Sequence, residues 1–106
     1  MIIMIAEVVT HPGKDRDYEQ CFRELQAVVA VKEPRTLVYQ SARCREEPLT
    51  YRAVEIFADQ SALDFHADSE WLKEGWVEME QCIARLKVTV HDPIVTPRNR
   101  LSSLRF

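Results

Sequence analysis

Val54-Glu55-Ile56-Phe57-Ala58-Asp59-Gln60-Ser61-Ala62-Leu63-Asp64-Phe65-His66-Ala67 changes period in its middle, and the rest of the chain arranges itself around that change. Val54 to Phe57 is rich in branched and aromatic residues, as a strand is. A short acidic turn follows. Asp59 and Ser61 are both candidate N-caps, and Ser61 with Asp64 fits the S/T-x-x-D/E pattern that opens a helix. That helix carries one histidine, His66, among apolar neighbours. A strand running into a histidine-bearing helix is therefore the first unit, and the segment from Trp71 to Trp76 comes directly after it.

Working upstream, the strand extends back to Thr50, and Arg43-Cys44-Arg45-Glu46-Glu47-Pro48 is a short charged connection. Thr36 to Ala42 is a further strand, so the two form an antiparallel hairpin. Before them, Tyr18, Cys21, Phe22, Leu25, Val28 and Val29 recur at three- and four-residue steps, one apolar stripe of a helix. It begins near Asp15, where Asp15 and Asp17 suit the positive end of the helix dipole, and Pro34 ends it. His11-Pro12-Gly13-Lys14 is a turn, and Ile2 to Thr10 is the first strand, apolar on both faces until Glu7.

Downstream, a break near Asp68-Ser69 leads into a longer helical pattern, Leu72, Trp76, Met79, Ile83 and Leu86. Gly75 within it costs roughly 1 kcal/mol against alanine, unless close packing or a cavity requires it. Val88 to His91 is the last strand, closed by Pro93. The order is β-α-β-β-α-β with the second helix in two pieces. This is an α+β, ferredoxin-like arrangement: a four-stranded antiparallel sheet with helices on one face. Residues 1–95 form the domain and 96–106 a C-terminal tail holding the basic cluster Arg98, Arg100 and Arg105. Strands apolar on both sides leave one sheet face to be covered, and a homodimer packed sheet on sheet would cover it.

At 106 residues, 46% hydrophobic and 29% charged, the chain fits one globular domain. A net charge of -3 gives no reason to expect nucleic acid or a membrane as partner. Met1-Ile2-Ile3-Met4-Ile5-Ala6 lacks a basic leader and meets Glu7 too soon for a targeting segment, and nothing approaches membrane-spanning length. Cys21, Cys44 and Cys82 are odd in number without C-x-x-C spacing, which argues for free thiols in a reducing compartment. A cytoplasmic protein is expected. Two glycines cannot build a phosphate or dinucleotide loop, and three scattered histidines make a poor zinc set, so neither cofactor nor metal is expected.

Several residues could carry chemistry. His66 can act as acid or base near neutral pH, or be a helix histidine satisfied by a backbone carbonyl. Glu55 shares a strand face with Tyr51, Ala53 and Phe57, where a carboxylate must be solvated or paired; a structural ion pair with an arginine is the bland alternative. Trp76 reads as core. Trp71, Phe65, Phe57 and Tyr39 are candidates for the walls of a pocket, although aromatic stripes are more often plain core.

The stretch Glu55 to His66 resembles the signature of the antibiotic biosynthesis monooxygenase domain: a strand glutamate, an aromatic, an acidic turn, then a helix histidine. Glu33-Pro34-Arg35 resembles that family's Glu-Pro-Gly entry to the second strand, with Arg35 in place of glycine, and Pro12-Gly13-Lys14 matches its first turn. The resemblance covers roughly Ile2 to Pro93. It implies a dimeric α+β barrel and a family that includes cofactor-independent oxygenases of quinols and anthrones. Its haem-degrading branch relies on a first-strand asparagine, a tryptophan closing the third strand and a helix histidine, of which only the histidine is matched, by His66. Here Phe57 holds the tryptophan's place and the sole asparagine is Asn99, so haem degradation is not expected. The resemblance thus implies a cofactor-free monooxygenase oxidising a small electron-rich aromatic with O2. His66, Glu55 and Tyr51 would do the chemistry, and Phe57, Phe65, Trp71 and Tyr39 would bind the substrate. A non-catalytic small-molecule-binding or stress-response dimer, or an acid–base isomerase using the same pocket, is the alternative.

Overall fold

The structure is a computed structural model, and it describes residues 1–95. The tail expected at 96–106, with its arginines, lies outside the described residues. The elements are β1 (Ile2–Thr10), α1 (Asp15–Lys32), β2 (Thr36–Arg43), β3 (Thr50–Phe57), α2 (Gln60–Ala67), α3 (Glu70–Cys82) and β4 (Ile83–His91). The strands form one antiparallel sheet in the order β2-β3-β1-β4, the ferredoxin-like topology, with the helices on one face.

Alternation along the strands decides what each face carries. Met4, Ala6 and Val8 of β1 lie opposite Glu55, Ala53 and Tyr51 of β3, and this face meets the helices. Against it α1 buries Tyr18, Phe22, Leu25 and Val29, while α3 buries Met79 and Cys82. The opposite face presents Ile3, Ile5, Val9, Val54 and Ile56, each only partly covered within one chain.

Local chemistry sets the helix ends. Gly13 takes φ +80°, a left-handed turn residue that brings the chain from β1 into α1. Of the two candidate caps, Asp59 caps α2 by accepting from the Ala62 amide at 3.0 Å, and Ser61 donates to Asp59 at 2.8 Å. Ser69 caps α3 through the Leu72 amide at 3.2 Å, which makes the break at Asp68-Ser69 a true helix boundary. Gly75 faces Leu25 of α1, where an added Cβ would sit 3.5 Å from Leu25 Cδ1. The helices pack closely there, yet a methyl group fits.

One expectation is corrected. The helical pattern read through Ile83 and Leu86 stops at Cys82, and β4 starts at Ile83 rather than Val88. The reason is a bulge. β4 pairs Leu86 with Val8 and Arg85 with Val9, but Ile83 with Thr10, so one residue of β4 is extra. Ile83 and Leu86 therefore share the helix-side face three residues apart, a spacing that imitates a helix.

Candidate functional site

Between the helix layer and the sheet lies a cavity of about 380 Å³. Its floor is the helix side of the sheet, with Met4, Ala6, Ala53 and Glu55; Phe22, Leu72, Trp76 and Met79 close it from the helices. Leu86 and Val88 of the edge strand β4 form one wall and stay 41% and 47% exposed, so the cavity opens along that edge. Exposed Lys73 stands among its lining residues. Almost all of the surface is apolar, and the polar side chains within it are few enough to be taken one at a time.

His66 reaches the cavity from the last turn of α2. Its ring is 4% exposed and held between two carboxylates from different elements. Nδ1 lies 2.9 Å from both oxygens of Glu33, the residue that ends α1, and Nε2 lies 3.3 Å from Glu55 Oε1. Glu33 is itself buried at 3% exposure. It also accepts from Thr36 Oγ1 at 2.6 Å and from the Trp71 indole at 2.6 Å, so its four contacts leave it no freedom to turn. Rings of Tyr39 (5.3 Å) and Phe57 (5.4 Å) tilt against the imidazole and fix its plane.

This arrangement determines the charge on the histidine. Burial pulls the imidazole toward neutrality, but the two carboxylates outweigh it and raise its pKa to about 9. Burial likewise pushes Glu33 up, while hydrogen bonds from His66, Thr36 and Trp71 hold its carboxyl below the usual range. At neutral pH the pair is Glu33 carboxylate with His66 imidazolium. His66 then has no free lone pair, and Glu55 is the carboxylate that lines the cavity.

The remaining sequence candidates divide. Tyr39 lines the cavity, its ring stacked on Phe22 at 4.8 Å and 5°. Burial, then the neighbouring Glu55, raises its pKa, so the phenol stays neutral. Phe57 is fully buried behind His66 and supports the ring without reaching the cavity. Trp71 is turned toward Glu33, with Lys32 over its ring and Phe65 against its edge at 5.6 Å. Phe65 is 53% exposed and is not among the lining residues. Tyr51 points away: its ring packs on Tyr18 and its hydroxyl donates to Glu19 at 2.5 Å, in a cleft beside α1. The pairing of Glu55 is with His66 and not with an arginine; Arg52, on the opposite face, pairs with Glu7 at 3.7 Å.

Glu33 is the residue that sequence reading missed. In the sequence it stands only within Glu33-Pro34-Arg35, the entry to the second strand, and its link to His66 spans 33 positions. The visible signal was a carboxylate placed where a helix ends against the sheet, a buried location that charged residues avoid unless paired. Among the described residues no group of three or more histidine, cysteine or acidic side chains could hold a metal ion, and no helix is long and apolar enough to cross a membrane.

Comparison with solved structures gives the same architecture. A candidate antibiotic biosynthesis monooxygenase from Caulobacter crescentus superposes with a TM-score of 0.84 at 28% identity, over 89% of this chain and 90% of that one. A candidate of the same kind from Bacteroides thetaiotaomicron gives 0.82 at 19% identity, over 92% and 93%. SnoaB, a cofactor-independent oxygenase from Streptomyces nogalater, gives 0.80 at 14% identity, over 92% and 97%. At the last two identities the likeness is one of fold. Among curated proteins none matches the chain in sequence. The sequence profile of the antibiotic biosynthesis monooxygenase family matches residues 1–75, which carry β1 to α2 and with them Glu33, Glu55 and His66, and the chain belongs to that family.

Proposed function

We propose that the protein is a cofactor-independent monooxygenase that oxidises a small, electron-rich aromatic hydroxyl compound, of hydroquinone or anthrone type, with O2. The observation that carries this reading is the buried line Glu33–His66–Glu55 ending in an apolar cavity. Such substrates react with oxygen once they have lost a proton, because the anion gives up an electron readily. The protein need only take the proton and keep the anion dry. Glu55 accepts the proton, and the His66 imidazolium beside it offsets the negative charge that develops. Glu33 acts through His66, holding it cationic and in place. The substrate supplies both electrons: its anion adds O2 at carbon, and the peroxide loses water. One oxygen atom stays on the ring and the other leaves as H2O. Tyr51, turned toward Glu19, takes no part in this scheme, and Trp71 serves by orienting Glu33.

The reading extends to a homodimer in the cytoplasm. A second copy laid on the open sheet face would bury Ile3, Ile5, Val54 and Ile56, and the free thiols of Cys21, Cys44 and Cys82 suit a reducing compartment.

The test is oxygen uptake by metal-free protein against hydroquinones, naphthoquinols and anthrones, with Glu55→Gln and His66→Ala alongside. Uptake above autoxidation that falls about 100-fold or more in Glu55→Gln is expected for loss of a general base. Uptake that survives both substitutions would refute it. Turnover of the same compounds without oxygen would instead mark an acid–base isomerase using the same groups.

A further inference from the structure

The proton acceptor of the cavity has a neighbour that the scheme above leaves unused. Tyr39 and Glu55 are direct partners in the β2–β3 ladder, on the helix side of the sheet, and both line the cavity. Directly opposed residues of an antiparallel pair hold their Cβ atoms about 5 Å apart. Their hydrogen bonding is incomplete in complementary ways. Glu55 is 8% exposed, and its one polar contact among the described residues is His66, on Oε1. The Tyr39 hydroxyl has no hydrogen-bond partner among the described residues, whereas the other cavity phenol, Tyr18, is bonded to Ser41 at 2.9 Å. Stacking on Phe22 and contact with His66 prevent the Tyr39 ring from swinging toward solvent. A carboxylate oxygen and a phenol hydroxyl from paired ladder positions thus both line an apolar cavity with hydrogen-bonding capacity unused. A ligand that fills the cavity must pair both or leave them unpaired at a cost, so one that pairs both is favoured.

We propose that the cavity seats one neutral aromatic hydroxyl between these two side chains, donating its hydrogen to Glu55 and accepting one from Tyr39. One oxygen satisfies both, so the two ladder partners read a hydroxyl as such. A methyl ether or a quinone carbonyl can accept from Tyr39 but sets a lone pair against the Glu55 carboxylate. The site therefore takes the reduced, hydroxyl-bearing form of an aromatic and discriminates against the oxidised or alkylated form. After proton transfer to Glu55, the Tyr39 hydroxyl remains on the oxygen that now carries the charge. This rests on the proposed function only in taking aromatic hydroxyl compounds as the ligands; the recognition itself needs no oxygen.

The experiment is calorimetric titration under nitrogen with 1-naphthol, 1-methoxynaphthalene and naphthalene, which are small enough for a cavity of about 380 Å³. The native protein should bind 1-naphthol at least about tenfold more tightly than its methyl ether, the difference expected for a hydrogen bond to a charged acceptor. Tyr39→Phe should weaken 1-naphthol by roughly threefold to tenfold and leave naphthalene unchanged. Glu55→Met, similar in shape but without the carboxylate, should erase the preference for the hydroxyl. Equal affinity for naphthol and its ether, a preference that survives both substitutions, or no binding of naphthol at millimolar concentration would overturn the proposal. The preference present without oxygen uptake on any substrate would sink the oxygenase and leave this seat standing. Uptake without the preference would do the reverse.

Discussion

Raising the pH from 6 to 10 should cost the folded protein about 3 kcal/mol through His66 alone. The sign follows from the site. The folded pKa, about 9, stands above the ordinary value of 6.5. The contribution is therefore fully present below pH 6.5 and is lost as pH rises through about 9. Between those values stability falls by about 1.4 kcal/mol per pH unit, which gives the total. On the acid side the partner has the opposite dependence. Glu33 is held below its ordinary 4.5, so its share is present above pH 4.5 and disappears as pH falls through the lowered value. The pair is thus at full strength between pH 4.5 and 6.5. Urea unfolding followed by tryptophan fluorescence, at fixed protein concentration, measures the loss. With a slope of about 1–3 kcal/mol per molar, the midpoint should drop by about 1–3 M. His66→Gln supplies the reference: it should be less stable at pH 6 and nearly insensitive to pH between 6.5 and 8, below the range in which the raised Cys21 and Cys82 thiols titrate. Direct NMR titration of the ring completes the test. A His66 midpoint below 7, or a native pH slope retained in His66→Gln, would refute the cationic histidine and with it the assignment of Glu55 as base.

Three further outcomes follow from particular packing. Gly75→Ala should stabilise α3 by about 0.5–1 kcal/mol, because the added methyl meets Leu25 at an ordinary 3.5 Å while the helix gains propensity; a lower melting temperature would count against that packing. Gly13→Ala should destabilise by about 1 kcal/mol, since φ +80° strains any side chain even though open space surrounds it, and a neutral result in urea unfolding would contradict this. Ile5→Lys, placing a charge opposite Val54 on the open face, should convert the proposed dimer to a 12.4 kDa monomer in sedimentation; an unchanged sedimentation coefficient would count against that face as the interface.

Much of the fold was legible because it is written in local periods. Alternation along Val54 to Phe57, the apolar stripe from Tyr18 to Val29 and the turn chemistry at Gly13 and Asp59 each act over a few residues, and each reappears in the structure. The exception is instructive. Ile83 and Leu86 keep helical spacing, and only pairing with Thr10 and Val8 across a bulge makes them strand. Ladder bonds to a distant strand outweighed a local preference.

By itself the sequence determined the order of elements, the face of β3 on which Glu55 lies, and the family-like strand–turn–helix that carries His66. Tertiary structure alone decided that Glu33 closes on His66, that Tyr39 stands beside Glu55, and that Tyr51 turns its hydroxyl to Glu19. The charge on a histidine, and hence its chemistry, depends on which carboxylates come within about 3–4 Å of it. Those distances are set by how α1 ends against the sheet and how α2 crosses it, and no local pattern records them.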